Sequence, residues 1–212
     1  MRRMAGLWAA LLLVLALTPV QAGAVELPIR AEAALLMEKE TGQVLYAQNE
    51  HEALEPASVT KVMTLLLTME AIEKGSLHYD DVVTVSAYAA SMGGSHVYLS
   101  EGEQITVDDL LKAVCVASGN DAAVALAIYC GGTVEGFAAL MNDKARSLGL
   151  TGTHFENPNG LDSPGHYSTA KDLGTLAAYA MENPIFYKTV SAKNVKVGER
   201  YLTNHNKLLW RV

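Results

Sequence analysis

With 212 residues, 50% of them apolar, the chain can bury one substantial core. Its formal charge of −7 argues against a nucleic-acid partner, which calls for a basic face. The six histidines are scattered with no H-E-x-x-H or paired spacing, so neither a metal nor a cofactor is expected.

The chain opens with MRRMAGLWAALLLVLALTPVQAGA: two arginines, an apolar stretch from about Leu7 to Leu17, and small residues at Val20, Ala22 and Ala24. This is the pattern of an export signal over residues 1–24, with an apolar stretch too short to span a bilayer comfortably. Cleavage after Ala22 or Ala24 leaves about 190 residues, expected as one extracytoplasmic domain over 25–212 in the periplasm or cell envelope. Arg2 and Arg3 leave with the signal and no acid does, so the formal charge falls from −7 to −9.

AALLMEKETGQVLYAQNE reads as two strands joined by a turn at Glu40-Thr41-Gly42, because apolar and β-branched residues flank a glycine able to take positive φ. From Ser58 to Lys74 apolar residues recur at Val59, Val62, Met63, Leu66, Leu67 and Met69 or Ala71, nearly all round a helix that Gly75 ends. Such a helix belongs at the centre of a fold. Thr106, with Asp109 in the first turn, starts a helix through VDDLLKAVCVA; SGND interrupts it, and AAVALAIYC resumes it as far as Gly131-Gly132. Thr133 caps a further helix to about Leu148, stopped at Gly149. After the loop TGTHFENPNGLDSPGH, Ser168 or Thr169 starts a helix to about Glu182, closed by Asn183-Pro184. The tail KNVKVGERYLTNHNKLLWRV alternates as extended chain. Cys115 and Cys130 sit in apolar helical stretches outside any cysteine-dense framework, which favours buried thiols over a disulfide.

Two stretches carry chemistry. In EPASVTKVMTLLL, Ser58 and Lys61 are one helical turn apart on the same face. A serine hydroxyl needs a base to become a nucleophile, and a lysine shielded from water can serve as one. The plainer alternative makes Ser58 a helix cap and Lys61 a solvated charge. In ASGNDAA, Ser118 and Asn120 offer a hydroxyl and an amide from a tight turn; the plainer alternative is a helix break in which Asn120 or Asp121 caps the next helix.

Taken together and in order, ASVTKVMT, SGNDAAVALA and FENPNGLDSPGHYSTAKDLGTLA resemble the low-molecular-mass penicillin-binding proteins, the serine-type D-Ala-D-Ala carboxypeptidases of peptidase family S11. The resemblance covers nearly the whole mature segment. It implies an α+β fold of the β-lactamase/transpeptidase kind, a helical cluster packed on an antiparallel sheet. It also implies that Ser58 attacks the penultimate D-alanine carbonyl of a peptidoglycan stem peptide, with Lys61 as general base. Ser118 relays a proton to the leaving amine, Asn120 binds the substrate backbone, and the Ser58 N–H is one oxyanion donor. β-Lactams are the implied inhibitors.

The family's third motif, K-T-G, occurs nowhere; KETG at Lys39 has an inserted glutamate and precedes the serine. The order of elements places the motif beyond Val212, so the expectation is a catalytic domain cut short, lacking its C-terminal strands. Two competitors follow. A class A β-lactamase would use a loop glutamate, here Glu156, to activate the deacylating water. An exported remnant or peptidoglycan-binding protein would turn nothing over.

Overall fold

The computed structural model describes residues 29–211, and the expected export signal lies outside them. The first hairpin pairs β1 (Ala34–Met37) with β2 (Val44–Gln48) in antiparallel register from Ala34 opposite Gln48 to Met37 opposite Val44. Its turn is organised by Glu38, whose carboxylate accepts from the Glu40 and Thr41 N–H groups and from the Thr41 hydroxyl. Gly42, at φ 69, makes the reversal.

Seven α-helices follow among the described residues: α1 (Lys61–Glu73), α2 (Ala87–Ala90), α3 (Val107–Ala117), α4 (Asn120–Gly131), α5 (Val134–Ser147), α6 (Ala170–Ala180) and α7 (Pro184–Val190). The caps are those the sequence marks. The side chains of Thr106, Thr133 and Thr169 accept from the N–H groups of Asp109, Gly136 and Asp172, so Thr169 rather than Ser168 opens α6. The helix expected from Ser58 begins as a 3-10 turn, Ala57–Thr60, and becomes α-helical only at Lys61. Asn183-Pro184 does more than end α6. The Asn183 side chain accepts from Ile185 and Phe186 N–H, and Pro184, which needs no N–H partner in a first turn, starts α7.

The core lies where α1 and α4 meet, with α3 and α5 packed on α4. From Asn120 to Ala127 every residue of α4 is buried, and four alanines in that run keep it thin enough for neighbours on several sides. Met63, Leu66 and Met69 of α1, Leu110 and Leu111 of α3, Phe137 and Met141 of α5 and Leu176 of α6 fill the centre. Gly174 of α6 gives β1 its seat, since a Cβ there would lie 2.6 Å from Leu35 Cδ2.

The strands form three separate two-stranded antiparallel sheets among the described residues, where one sheet was expected. β3 (Val82–Thr84) pairs antiparallel with β4 (Gln104–Thr106) across a connection that contains α2, each strand too short to leave an alternating pattern in sequence. The tail folds into β5 (Asn194–Val197) and β6 (Arg200–Thr203), then a 3-10 turn at Lys207–Trp210 where extended chain was expected. Cys115 and Cys130 are free thiols whose acidity burial suppresses, pushing them up to about 12 and about 11.

Candidate active site

The site begins with a strained corner. Pro56 is buried, and Ala57 follows it at φ 46, a left-handed value that costs a residue bearing a Cβ on the order of 1 kcal/mol. The corner sets the 3-10 turn so that Ser58 is exposed while Lys61 is 3% exposed. Ser58 makes no side-chain cap bond; its hydroxyl is instead 3.0 Å from Lys61 Nζ. Lys61 also donates to the Asn159 carbonyl at 2.7 Å.

Burial disfavours the ammonium and lowers Lys61 from 10.5 to about 8. At neutral pH roughly one molecule in ten then carries the free amine. A free amine in that place can keep an N–H on Asn159 while its lone pair accepts the Ser58 hydroxyl proton. The solvated-charge reading of Lys61 and the cap reading of Ser58 both fail on this geometry.

What dries Lys61 is a loop that sequence reading left as a connection. Antiparallel bridges pin its neck, His154 with Tyr167 and Leu54 with Ser168. Three side chains at the start of α1 hold it from below. The Thr64 hydroxyl donates to the Pro158 carbonyl at 2.6 Å, Lys61 donates to Asn159, and Thr60 Oγ1 lies 2.7 Å from His166 Nε2. Asn157 shapes the tip by accepting from Gly160 N–H at 2.7 Å and donating to the Leu161 carbonyl at 2.8 Å. Gly160, at φ 84, lies so close to the corner that a Cβ would overlap the Ala57 carbonyl.

The second stretch comes to the same loop. Ser118 ends α3 in the left-handed region at φ 57, half-buried, with no hydrogen bond from its hydroxyl to Ser58 or Lys61 among the described residues. Asn120 opens α4 and is 4% exposed; its N–H donates to the Ser95 carbonyl and its Nδ2 to the Gly93 carbonyl, both at 2.7 Å. Its Oδ1 is buried without a partner. Across the gap, a Cβ on Gly94 would lie 2.8 Å from Asn120 Nδ2 and 3.9 Å from Leu161 Cδ2, so this turn and the loop tip meet there. Neither Asn120 nor Asp121 caps α4. The buried Asp121 carboxylate instead accepts from Val97, Leu99 and Ala122 N–H groups and holds the 97–99 segment in place.

The family model described as D-alanyl-D-alanine carboxypeptidase, peptidase S11, matches residues 20–212. The chain belongs to that family. It is 46% identical over 188 residues to D-alanyl-D-alanine carboxypeptidase DacF of Bacillus subtilis, covering 88% of this chain and 47% of that protein. Among solved structures it resembles penicillin-binding protein 5 from Haemophilus influenzae, with TM-score 0.85 and 36% identity over 89% of this chain and 56% of that one. Penicillin-binding protein D2 from Listeria monocytogenes, in its ampicillin-bound form, is similar at TM-score 0.80 and 30% identity over 88% and 77% of the two chains. The S11 chain described here thus spans about half the length of the curated relative it matches, and its fold is the α+β fold of the penicillin-binding proteins.

The structure brings Ser58 and Lys61 together and sets Asn120 beside the same loop, whereas Glu156 points elsewhere. Its carboxylate bonds the Ser163 hydroxyl, and it makes no hydrogen bond to Ser58 or Lys61, so the β-lactamase reading loses the residue that motivated it. Among the described residues no cluster of His, Cys, Asp or Glu could hold a metal ion. Sequence reading missed Thr60, Thr64, Asn159 and His166. Thr60 and Thr64 flank Lys61 as polar residues in a largely apolar stretch, a weak signal that the structure turns into buried hydrogen bonds. Asn159 acts through its carbonyl and leaves none.

Proposed function

We propose that this S11 chain is the acylating part of a serine-type D-Ala-D-Ala carboxypeptidase acting on peptidoglycan stem peptides, with β-lactams as its inhibitors. The observation that carries the reading is Lys61, buried and held between Ser58 Oγ and the Asn159 carbonyl. Ser58 Oγ attacks the carbonyl carbon of the penultimate D-alanine as the free amine of Lys61 takes its proton. The oxyanion forms against the Ser58 N–H, which has no other partner among the described residues. Ser118, through its hydroxyl, passes a proton to the departing D-alanine amine, and Asn120, whose Oδ1 lacks a partner, receives a donor from the substrate backbone. Water then cleaves the ester on Ser58. Residues 1–24 serve in this reading as an export signal that delivers the enzyme outside the cytoplasm, where peptidoglycan lies.

No K-T-G occurs within the 212 residues, so acylation by a penicillin is a better readout for this chain than D-alanine release. Treatment with a labelled penicillin and peptide mapping should place the label on Ser58, and Ser58→Ala should abolish it. Lys61→Ala should slow labelling by about 10²-fold or more, the usual worth of a positioned base. Label on another serine, or retained in Ser58→Ala, overturns the assignment.

A further inference from the structure

Among the groups that pin the loop over Lys61, His166 has no part in the chemistry above and bonds through both of its ring nitrogens. It is 3% exposed and 106 residues from Thr60 in sequence. Nδ1 accepts from the Glu156 N–H at 3.0 Å, which requires an unprotonated Nδ1. The neutral ring therefore carries its proton on Nε2 and donates it to Thr60 Oγ1 at 2.7 Å. Phe155 lies edge-on to the ring with centroids 5.7 Å apart. Thr60 immediately precedes Lys61 and is the last residue of the 3-10 turn that carries Ser58. One imidazole thus ties the loop's own backbone to the turn bearing the nucleophile.

We propose that His166 is a positioning residue of this site: as a neutral ring bridging Glu156 N–H and Thr60 Oγ1, it clamps the loop onto the Ser58 turn, keeping the Asn159 carbonyl on Lys61 and water away from its amine. The inference rests on the lysine-base reading of Lys61. Protonation turns Nδ1 into a donor facing the Glu156 N–H, so the clamp opens in acid. The titratable groups facing the ring are Glu156, which favours the imidazolium, and His154, which opposes it; from α1 comes the Thr60 hydroxyl, with Lys61 turned onto Ser58 and Asn159. Burial is the largest influence and moves His166 below its ordinary 6.5.

The test follows two signals in the full chain across pH: the Lys61 Cε resonance, assigned with Lys61→Arg, and the rate of penicillin labelling at Ser58. Wild type should show a Lys61 midpoint near the value of about 8. Opening the clamp hydrates the amine, so His166→Ala and Thr60→Val should each raise that midpoint by about one unit or more toward the solvated range. The double variant should shift it no further than either alone, because both break one interaction. His166→Gln, able to donate and accept at similar reach without titrating, should keep the wild-type midpoint and lose any acid limb of labelling below His166's own titration. An unchanged Lys61 midpoint in folded His166→Ala and Thr60→Val overturns the proposal; if His166→Ala does not fold, Thr60→Val and His166→Gln decide it alone. Failure of wild type to label at Ser58 would instead remove the functional reading, while the Lys61 midpoints still score the clamp.

Discussion

Lys61 shows what the site costs. A lysine lowered from 10.5 to about 8 means that the unfolded chain binds more protons than the folded one between those values, so stability rises with pH through that window. Below it both states are protonated, and folding bears the full penalty of a buried ammonium, roughly 3 kcal/mol from the size of the shift. Its burial therefore works against stability, and the lysine-base proposal supplies a reason for it to be there. Lys61→Met should therefore stabilise the fold at pH 7, by up to roughly 2 kcal/mol once about 1 kcal/mol is deducted for the lost bond to Asn159. The gain should fall to about zero near pH 10 and reverse above 10.5, where Lys61 is neutral in both states and only the lost bond, about 1 kcal/mol, still counts. Urea denaturation of both proteins at pH 7 and pH 10 measures this, and the same substitution should slow penicillin labelling by about 10²-fold or more.

At the scale of elements, the 154–168 loop is as much a part of the site as α1. Its tip reaches the strained corner only because Gly160 has no Cβ and sits at φ 84. Gly160→Ala meets two penalties, the left-handed backbone and the overlap with the Ala57 carbonyl, together beyond the ~1 kcal/mol of a simple left-handed Gly-to-Ala change. Because the loop must lift to relieve the overlap, labelling of Ser58 should fall by at least about tenfold, with a smaller loss in the cooperative melt. Asn157→Ala, which loosens the tip without overlap, should give a milder loss of the same kind. Equal labelling rates for wild type and Gly160→Ala would mean that the loop does not shape the base.

For the molecule as a whole, the first hairpin is the exposed flank. Leu36, Val44 and Leu45 are 53%, 43% and 59% exposed, on a two-stranded sheet whose outer edges are unpaired among the described residues. An apolar strand edge of this kind is a template for further strands. The chain should self-associate in a concentration-dependent manner, and Leu45→Lys should suppress this, because a charge on an edge strand blocks pairing at little cost where the side chain is already in water. Analytical ultracentrifugation of the two proteins at matched concentrations compares them directly; identical sedimentation would place the sticky surface elsewhere.

The sequence by itself determined the longer helices to within a turn, though not the short ones at Ala87–Ala90 and Pro184–Val190 or the 3-10 start before Lys61, since the longer ones carry local signals: threonines at the caps, acids in first turns, glycines after last turns, and apolar residues on the faces that meet. It also determined the Ser58–Lys61 spacing, because three residues along a helical turn bring side chains together wherever the turn is placed. The tertiary structure decided what that spacing means. Whether Lys61 is a solvated charge or a dry base depends on a carbonyl 98 residues away, on a histidine that reaches Thr60, and on a glycine that lets the loop tip touch Ala57. These are backbone groups and single side chains with no period and no motif. Desolvation is a property of everything that surrounds an atom, and only the folded chain assembles those surroundings.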